Sequence, residues 1–328
     1  MRARVATALC VLVLAVAGCG SSSAPPPSVA IPPIDAQPSG AQEVTTTPGA
    51  ANADCGDREA SLRPGPLPAP GAMPPGSTMA AIAERGRLIV GVDQNSYPFG
   101  YRNPATGQLE GFDIDVAREM ARSIFGDPKP GDPDRVDLRV VEAGQRESAL
   151  VNGEVDLVVR TYSITCERKK TVAFSTTYFN AMQRILAVKG SGIDSVAQLA
   201  GKRVCAATGT TSLTALLRLS PRPTVMSVTS WTDCLVMLQQ GQVDAISTDD
   251  GVLAGLARQD PNVEMVGDSI AVEPYGIGVK KENTDLVRFV NGVLDRMRDD
   301  GTWKRLYDAN LRSLGPTTPD PPSPRYQD

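Results

Sequence analysis

The chain has 328 residues, of which 33 are basic and 37 acidic, with a formal net charge of −4 and no histidine. Mild acidity without basic clusters argues against nucleic acid as a partner, and the missing histidine excludes Ser-His-Asp and Cys-His nucleophiles and any His-ligated metal site. The length admits one or two domains.

Arg2 and Arg4 form a basic start, and Val5 to Ala17 an apolar stretch too short to span a bilayer. The stretch ends Val16-Ala17-Gly18-Cys19, which resembles a bacterial lipobox. Residues 1–18 are therefore expected to be a signal peptide and Cys19 the lipidated first residue of the mature chain. Its net charge is −6, because two of the 33 basic residues and none of the 37 acidic ones leave with the segment. From Gly20 to about Ser77 the composition is Pro, Ala, Ser, Thr and Gly, with 13 of the 27 prolines. Such a stretch cannot bury a core and reads as a semi-extended tether. Cys55 offers a point for fastening its later half to the folded body. The Pro-rich residues 316–328 read as a frayed tail.

Four cysteines remain beyond Cys10 and Cys19, namely Cys55, Cys166, Cys205 and Cys234. An even number in an exported chain predicts disulfides, with three connectivities open, and their wide spacings argue against zinc. Nothing in the sequence implies a metal or a cofactor.

Between the two Pro-rich ends, strand-like and helix-like segments alternate. Arg87–Val92 reads as a buried strand, and Asp113 as the cap of a helix through Ile124, with Val116, Met120 and Ile124 on one face. Val136–Val141 is a second strand, Glu147–Val151 a short helix stopped by Asn152-Gly153, and Val155–Val159 a third strand. This order predicts an α/β fold with a largely parallel sheet covered on both faces. The stretch Leu150–Val158 (LVNGEVDLV) returns 88 residues later as Leu238–Ile246 (LQQGQVDAI). Each is a helix end, a glycine stop and a short apolar strand, which predicts two similar lobes.

Six stretches in order complete a pattern: GVDQNSYPFGY at 91–101, GFDIDVA at 111–117, VDLVVRTYSITCERKK at 155–170, FSTTY at 174–178, GQVDAISTDD at 241–250 and YGIGV at 275–279. From about Met79 to Leu314 the chain resembles the extracellular solute-binding proteins of polar amino-acid ABC importers, nearest the glutamine/glutamate/aspartate-binding lipoproteins. The resemblance implies a two-lobe periplasmic-binding-protein (venus-flytrap) fold. Lobe 1 would be about 79–180 plus 274–315, lobe 2 the inserted 181–273, the lipidated tether 19–78 and the tail 316–328. Strand-like crossings near Tyr178–Met182 and Ala271–Tyr275 would form the hinge, and closure around the solute would present the closed form to a membrane partner.

An amino acid carries two constant charges. A guanidinium fork and a helix N-terminus suit its carboxylate. Arg168, where the family keeps its carboxylate-binding arginine, supplies the first. The turn Gly209-Thr210-Thr211-Ser212, between a strand over Val204–Thr208 and a helix through Leu219, supplies the second. Asp249, at the carboxyl end of the strand Val243–Ser247, matches the family's ammonium-binding aspartate, with Asp250 read as the neighbouring helix N-cap. Thr161 and Ser163 match acceptors on the other lobe.

Asp93 stands where glutamine binders contact a side-chain amide, but Ser96, Ala143 and Ala207 replace two stacking aromatics and a lysine of that group. Arg146 instead matches an arginine of aspartate/glutamate-binding relatives. Arg160 is either a second cation of the site or a partner for Asp156 or Glu167. This set favours an acidic side chain, with Asp93 paired to an arginine and orienting it. Tyr97-Pro98-Phe99 is either a wall of the site or lobe-1 core. Given the lobes, Cys205 on a lobe-2 strand and Cys234 on a helix from near Trp231 would pair, leaving Cys55 for Cys166.

The reading is a monomeric, non-enzymatic, lipid-anchored binding protein on the extracytoplasmic face of the cell membrane. It would deliver glutamate or aspartate, with glutamine or asparagine tolerated, to an ABC permease. The alternatives are a subunit reporting the same ligand to a membrane sensor protein, and a periplasmic dehydratase of the same fold, against which the intact Asp249 stands.

Overall fold

The computed structural model describes residues 37–46, 54–129, 131 and 135–327. The expected signal peptide and Cys19 lie outside the described residues, and no helix among those described is long and apolar enough to cross a membrane.

Two sheets organise the chain. The first has five strands in the order Val136–Val140, Leu88–Val92, Leu157–Val158, Gly278–Lys280 and Val172–Phe174. Its first three are mutually parallel, and Gly278–Lys280 pairs antiparallel with both of its neighbours. Leu88–Val92 is buried throughout because both its faces are covered. Leu88, Val90 and Val92 join one core, while Ile89 joins a second beneath Leu150 and Tyr162. The second sheet runs Gln42–Glu43, Thr224–Val228, Arg203–Ala207, Ala245–Asp249, Phe179–Val188 and Val263–Tyr275, around a separate core.

The last two strands carry the chain between the sheets. They pair antiparallel from Phe179↔Tyr275 through Gln183↔Ala271 and, after a register shift, from Ile185↔Val266 to Val188↔Val263. The expected crossings fall on the first of these stretches.

The 88-residue repeat is structural. In one copy the Asp156 N–H donates to Ile89 O at 2.9 Å, and Asp156 Oδ2 accepts from Ile89 N at 2.8 Å. In the other, Asp244 N–H donates to Arg203 O at 2.8 Å and its Oδ2 accepts from Arg203 N at 2.7 Å. Gly153 and Gly241 stand at φ 69° and 66° as the two helix stops. The aspartate in each copy therefore clamps its strand to the parallel neighbour.

Several local expectations need correction. The helix over Phe112–Phe125 starts one residue early, and Asp113 does not cap it. Carbonyls of Pro98 and Phe99 accept from Phe112 N and Asp113 N at 3.1 and 2.9 Å, which frees the Asp113 carboxylate. Asp250 is likewise not an N-cap but the first residue of the helix Asp250–Gln259, and its carboxylate accepts from Met182 N at 3.2 Å. Phe99 is fully buried core, in edge contact with Phe112, Phe179 and Tyr275.

The termini are more ordered than their composition suggests. Val44 N donates to Val225 O at 2.8 Å, placing Gln42–Glu43 on the edge of the second sheet. Ser61 Oγ donates to Phe174 O at 2.6 Å, and the Lys169 ammonium donates to Ala60 O at 2.9 Å, so the later tether is bound to the first lobe. The tail does not fray up to residue 327. Ser61 N donates to Arg325 O at 3.0 Å, Gln327 N to Ser61 O at 3.2 Å, and Lys304 pairs with Asp320 at 2.8 Å. Proline-rich backbone has little conformational freedom to lose, so a few bonds hold it.

Cys55 is bonded to Cys166 and Cys205 to Cys234. The second pair joins a strand to the helix Trp231–Gln239 across a separation of 29 residues inside a fully buried core. Replacing both Cys205 and Cys234 with alanine is expected to lower unfolding free energy by about 3 kcal/mol, read from the urea midpoint. A loss below about 1 kcal/mol would show that the core, not the cross-link, sets the stability of this lobe.

Candidate functional site

A narrow cleft lies between the sheets at the carboxyl ends of their parallel strands. The first lobe contributes Arg146, Arg160, Thr161, Ser163 and Arg168, and the second Thr210, Thr211, Ser212, Trp231, Thr248 and Asp249. Seven of the eight residues expected from sequence thus converge: Arg146, Thr161, Ser163, Arg168, Thr210, Thr211 and Asp249. The eighth, Asp93, stands behind the cleft.

Asp93 is fully engaged. Its Oδ1 accepts from Gln94 N and Asn95 N at 2.7 and 3.1 Å, and its Oδ2 takes the Ser96 hydroxyl and the Arg160 guanidinium, the latter at 3.1 Å. Arg160 therefore pairs with Asp93, while Asp156 pairs with Arg85 and Glu167 with Lys170. The ion pair is buried on both sides and turns Arg160 toward the cleft.

Arg146 is differently placed. Its four hydrogen bonds all go to backbone carbonyls: Ala143 O at 2.8 Å, Arg160 O at 3.3 Å, Thr161 O at 3.2 Å and Gly209 O at 3.1 Å. Burial first, then the charges of Arg168 and Arg160, pull its guanidinium down to about 9. Arg168 donates to Ser163 O at 2.7 Å and to the same Gly209 carbonyl at 3.0 Å, with Glu147 3.7 Å away. The Tyr162 ring lies against both guanidiniums, 4.3 and 4.8 Å from its centroid. Gly209 reaches this position because it has no side chain. It stands at φ +75°, and a Cβ would meet Gly144 Cα across the cleft at 2.5 Å.

The opposite wall is acidic. The Tyr275 hydroxyl donates to Asp249 Oδ2, while Oδ1 is buried without a partner. Burial, then the charge of Glu273, pushes the Asp249 carboxyl up to about 8. Glu273 itself accepts from the Thr211 hydroxyl at 2.8 Å. Three guanidiniums and the Asp249 carboxyl thus face one space, which suits a small zwitterion.

Residues 88–312 match the bacterial extracellular solute-binding proteins, family 3. The chain belongs to this family. It is 38% identical over 231 residues to the ABC transporter glutamine-binding protein GlnH of Bacillus subtilis, spanning 70% of this chain and 83% of that one. It is 32% identical to the glutamate-binding protein GluB of Corynebacterium efficiens, over 72% of this chain and 82% of that one. A solved receptor for L-cysteine from Neisseria gonorrhoeae superposes with a TM-score of 0.67 at 29% identity, covering 73% of this chain and 95% of that one. The family 3 protein is accordingly a two-lobe binding protein, not an enzyme.

Sequence reasoning missed Trp231 and Glu273. Trp231 opens a helix directly after the strand Thr224–Val228, and that position at a strand's carboxyl end was the available signal. Glu273 lies within a long strand and carries no local signature.

The folded-state value of Asp249 lies above its ordinary value of 3.8. Its contribution to stability is therefore fully present below about pH 4 and is lost as pH rises toward about 8. In denaturant titrations without ligand, wild type should lose stability relative to Asp249→Asn by at most ~1.4 kcal/mol per pH unit across that range. A difference that stays flat would mean that Asp249 is ionised in the cleft.

Proposed function

We propose that the protein binds an acidic amino acid, glutamate or aspartate, and delivers it to an ABC importer from the extracytoplasmic face. The observation carrying this reading is Arg146, a buried guanidinium in the cleft whose partners are all backbone carbonyls. A charge buried that way is costly until a carboxylate reaches it. Arg168 and the Thr210–Ser212 turn would seat the α-carboxylate, and Arg146 with Arg160 the side-chain carboxylate. Asp249, with its unpartnered Oδ1, and the acceptors Thr161 and Ser163 would take the ammonium. Asp93 does not repel such a ligand, because Arg160 and three further donors neutralise it.

The same reading makes residues 1–18 a signal peptide, Cys19 the lipid anchor, 79–180 plus 274–315 and 181–273 the two lobes, and the protein a monomer. Glutamine is the competing ligand, favoured by the identity to the protein named glutamine-binding.

Calorimetric titration with the four ligands separates them. Wild type should bind the acids more tightly than the amides. Arg146→Ala should weaken glutamate or aspartate by about 1–3 kcal/mol more than glutamine or asparagine. Stronger wild-type binding of glutamine than of either acid would overturn the acidic preference, and equal losses for acid and amide would reduce Arg146 to a shaper of its loop.

A further inference from the structure

Asp113 is a buried carboxylate that lies outside the cleft and, relieved of capping, serves a different end. Its Oδ2 accepts from Thr161 N and its Oδ1 from the Tyr178 hydroxyl, both at 2.8 Å. Thr161 has φ +37°, the one positive value at a non-glycine position among the described residues. A β-branched residue adopts that conformation only under constraint. The N–H that Asp113 holds belongs to the peptide joining Arg160 to Thr161. The carbonyl of that same peptide accepts from Arg146 at 3.3 Å, and the next carbonyl, of Thr161, accepts from the same nitrogen at 3.2 Å.

One peptide unit therefore stands between a buried anion and a buried cation. Its N–H points to the carboxylate and its C=O to the guanidinium, so its dipole is favourable to both charges. Arg146 has no carboxylate among its hydrogen-bond partners, and this relay connects it to one.

We infer that Asp113 is a positioning residue of the solute site, fixing Arg146 and Thr161 at the cleft through the Arg160–Thr161 peptide without touching the solute. The inference rests on Arg146 facing the solute, as in the reading above. The charged and titratable groups facing Asp113 are Asp93, Arg160 and Tyr178. Burial lifts its carboxyl to about 6, against the Thr161 N–H and the Tyr178 hydroxyl, so it is ionised at neutral pH.

A double-mutant cycle with l-glutamate and l-glutamine as probes tests this at pH 7.4 by calorimetry. Asp113→Asn should weaken the tighter-binding probe about tenfold in wild type, but less than about twofold in an Arg146→Ala background. Tyr178→Phe, which removes the other partner of Asp113 and leaves the Thr161 bond, should change affinity less than about twofold. Equal losses in the two backgrounds would overturn the inference, as would a Tyr178→Phe loss matching that of Asp113→Asn. A wild type that prefers glutamine defeats the acidic reading alone, because the cycle is then scored on glutamine. If Asp113→Asn does not fold or Arg146→Ala binds too weakly to titrate, wild type gives a second readout. In the ligand-free protein the Thr161 amide and Arg146 Nε–H resonances should shift together with the Asp113 carboxyl through about pH 6. Arg146 signals unmoved through that step would overturn the inference equally.

Discussion

Like charges in a cleft shielded from water repel one another, yet this protein gathers Arg146, Arg160 and Arg168 there. Each is held by a different device. Arg160 leans on Asp93, itself saturated by two backbone N–H groups and a serine hydroxyl. Arg146 is caught by four carbonyls, and Arg168 by two carbonyls and the nearby Glu147. The Tyr162 ring lies against the latter two guanidiniums and fixes their planes. The lobes meet at the Gly209 carbonyl, which accepts from both Arg146 and Arg168. Much of the surrounding architecture serves to keep this positive cluster in place opposite Asp249 and Glu273.

That arrangement draws on both halves of a duplicated plan. The helix-end, glycine and aspartate unit appears once in each lobe with matching bonds. In the first lobe the strand that follows leads into Arg160, Thr161 and Ser163, and in the second into Thr248 and Asp249. The shared scaffold places loops at equivalent strand ends, and the residues there have diverged into a wall of arginines and a wall carrying the Asp249 carboxyl. The separation of charge between lobes follows from that division.

Much of the cleft was legible because short apolar strands and Gly stops mark where its loops begin, and the family resemblance, not periodicity, assigned the residues on those loops. The helix with Val116, Met120 and Ile124 on one face and the strand Leu88–Val92 were readable for the same reason. Asp113 was not, since an acid at a helix start looks like a cap. Only the fold reveals that Pro98 and Phe99 supply the capping carbonyls from 14 residues away. The partner of Arg160 was equally hidden, because three acids lay within reach of sequence reasoning and the choice is made by packing. The termini misled for a compositional reason. Proline and serine content speaks against forming a core, but says nothing about adhering to one that already exists.

One such adherence bears on solubility. An open sheet ends in a strand whose outward N–H and C=O groups can recruit a strand from another molecule. In the second lobe that exposed strand would be Thr224–Val228, a five-residue segment whose last four residues are buried. The short strand Gln42–Glu43 lies along it, with Val44 N donating to Val225 O, Ser227 paired to Gln42 and Arg222 donating to Thr45 O at 3.1 Å. Two polar residues thus become the outermost rim. The extension that composition marks as mere spacer serves as a selvedge, closing the sheet against unwanted neighbours wherever the protein is crowded at high local density.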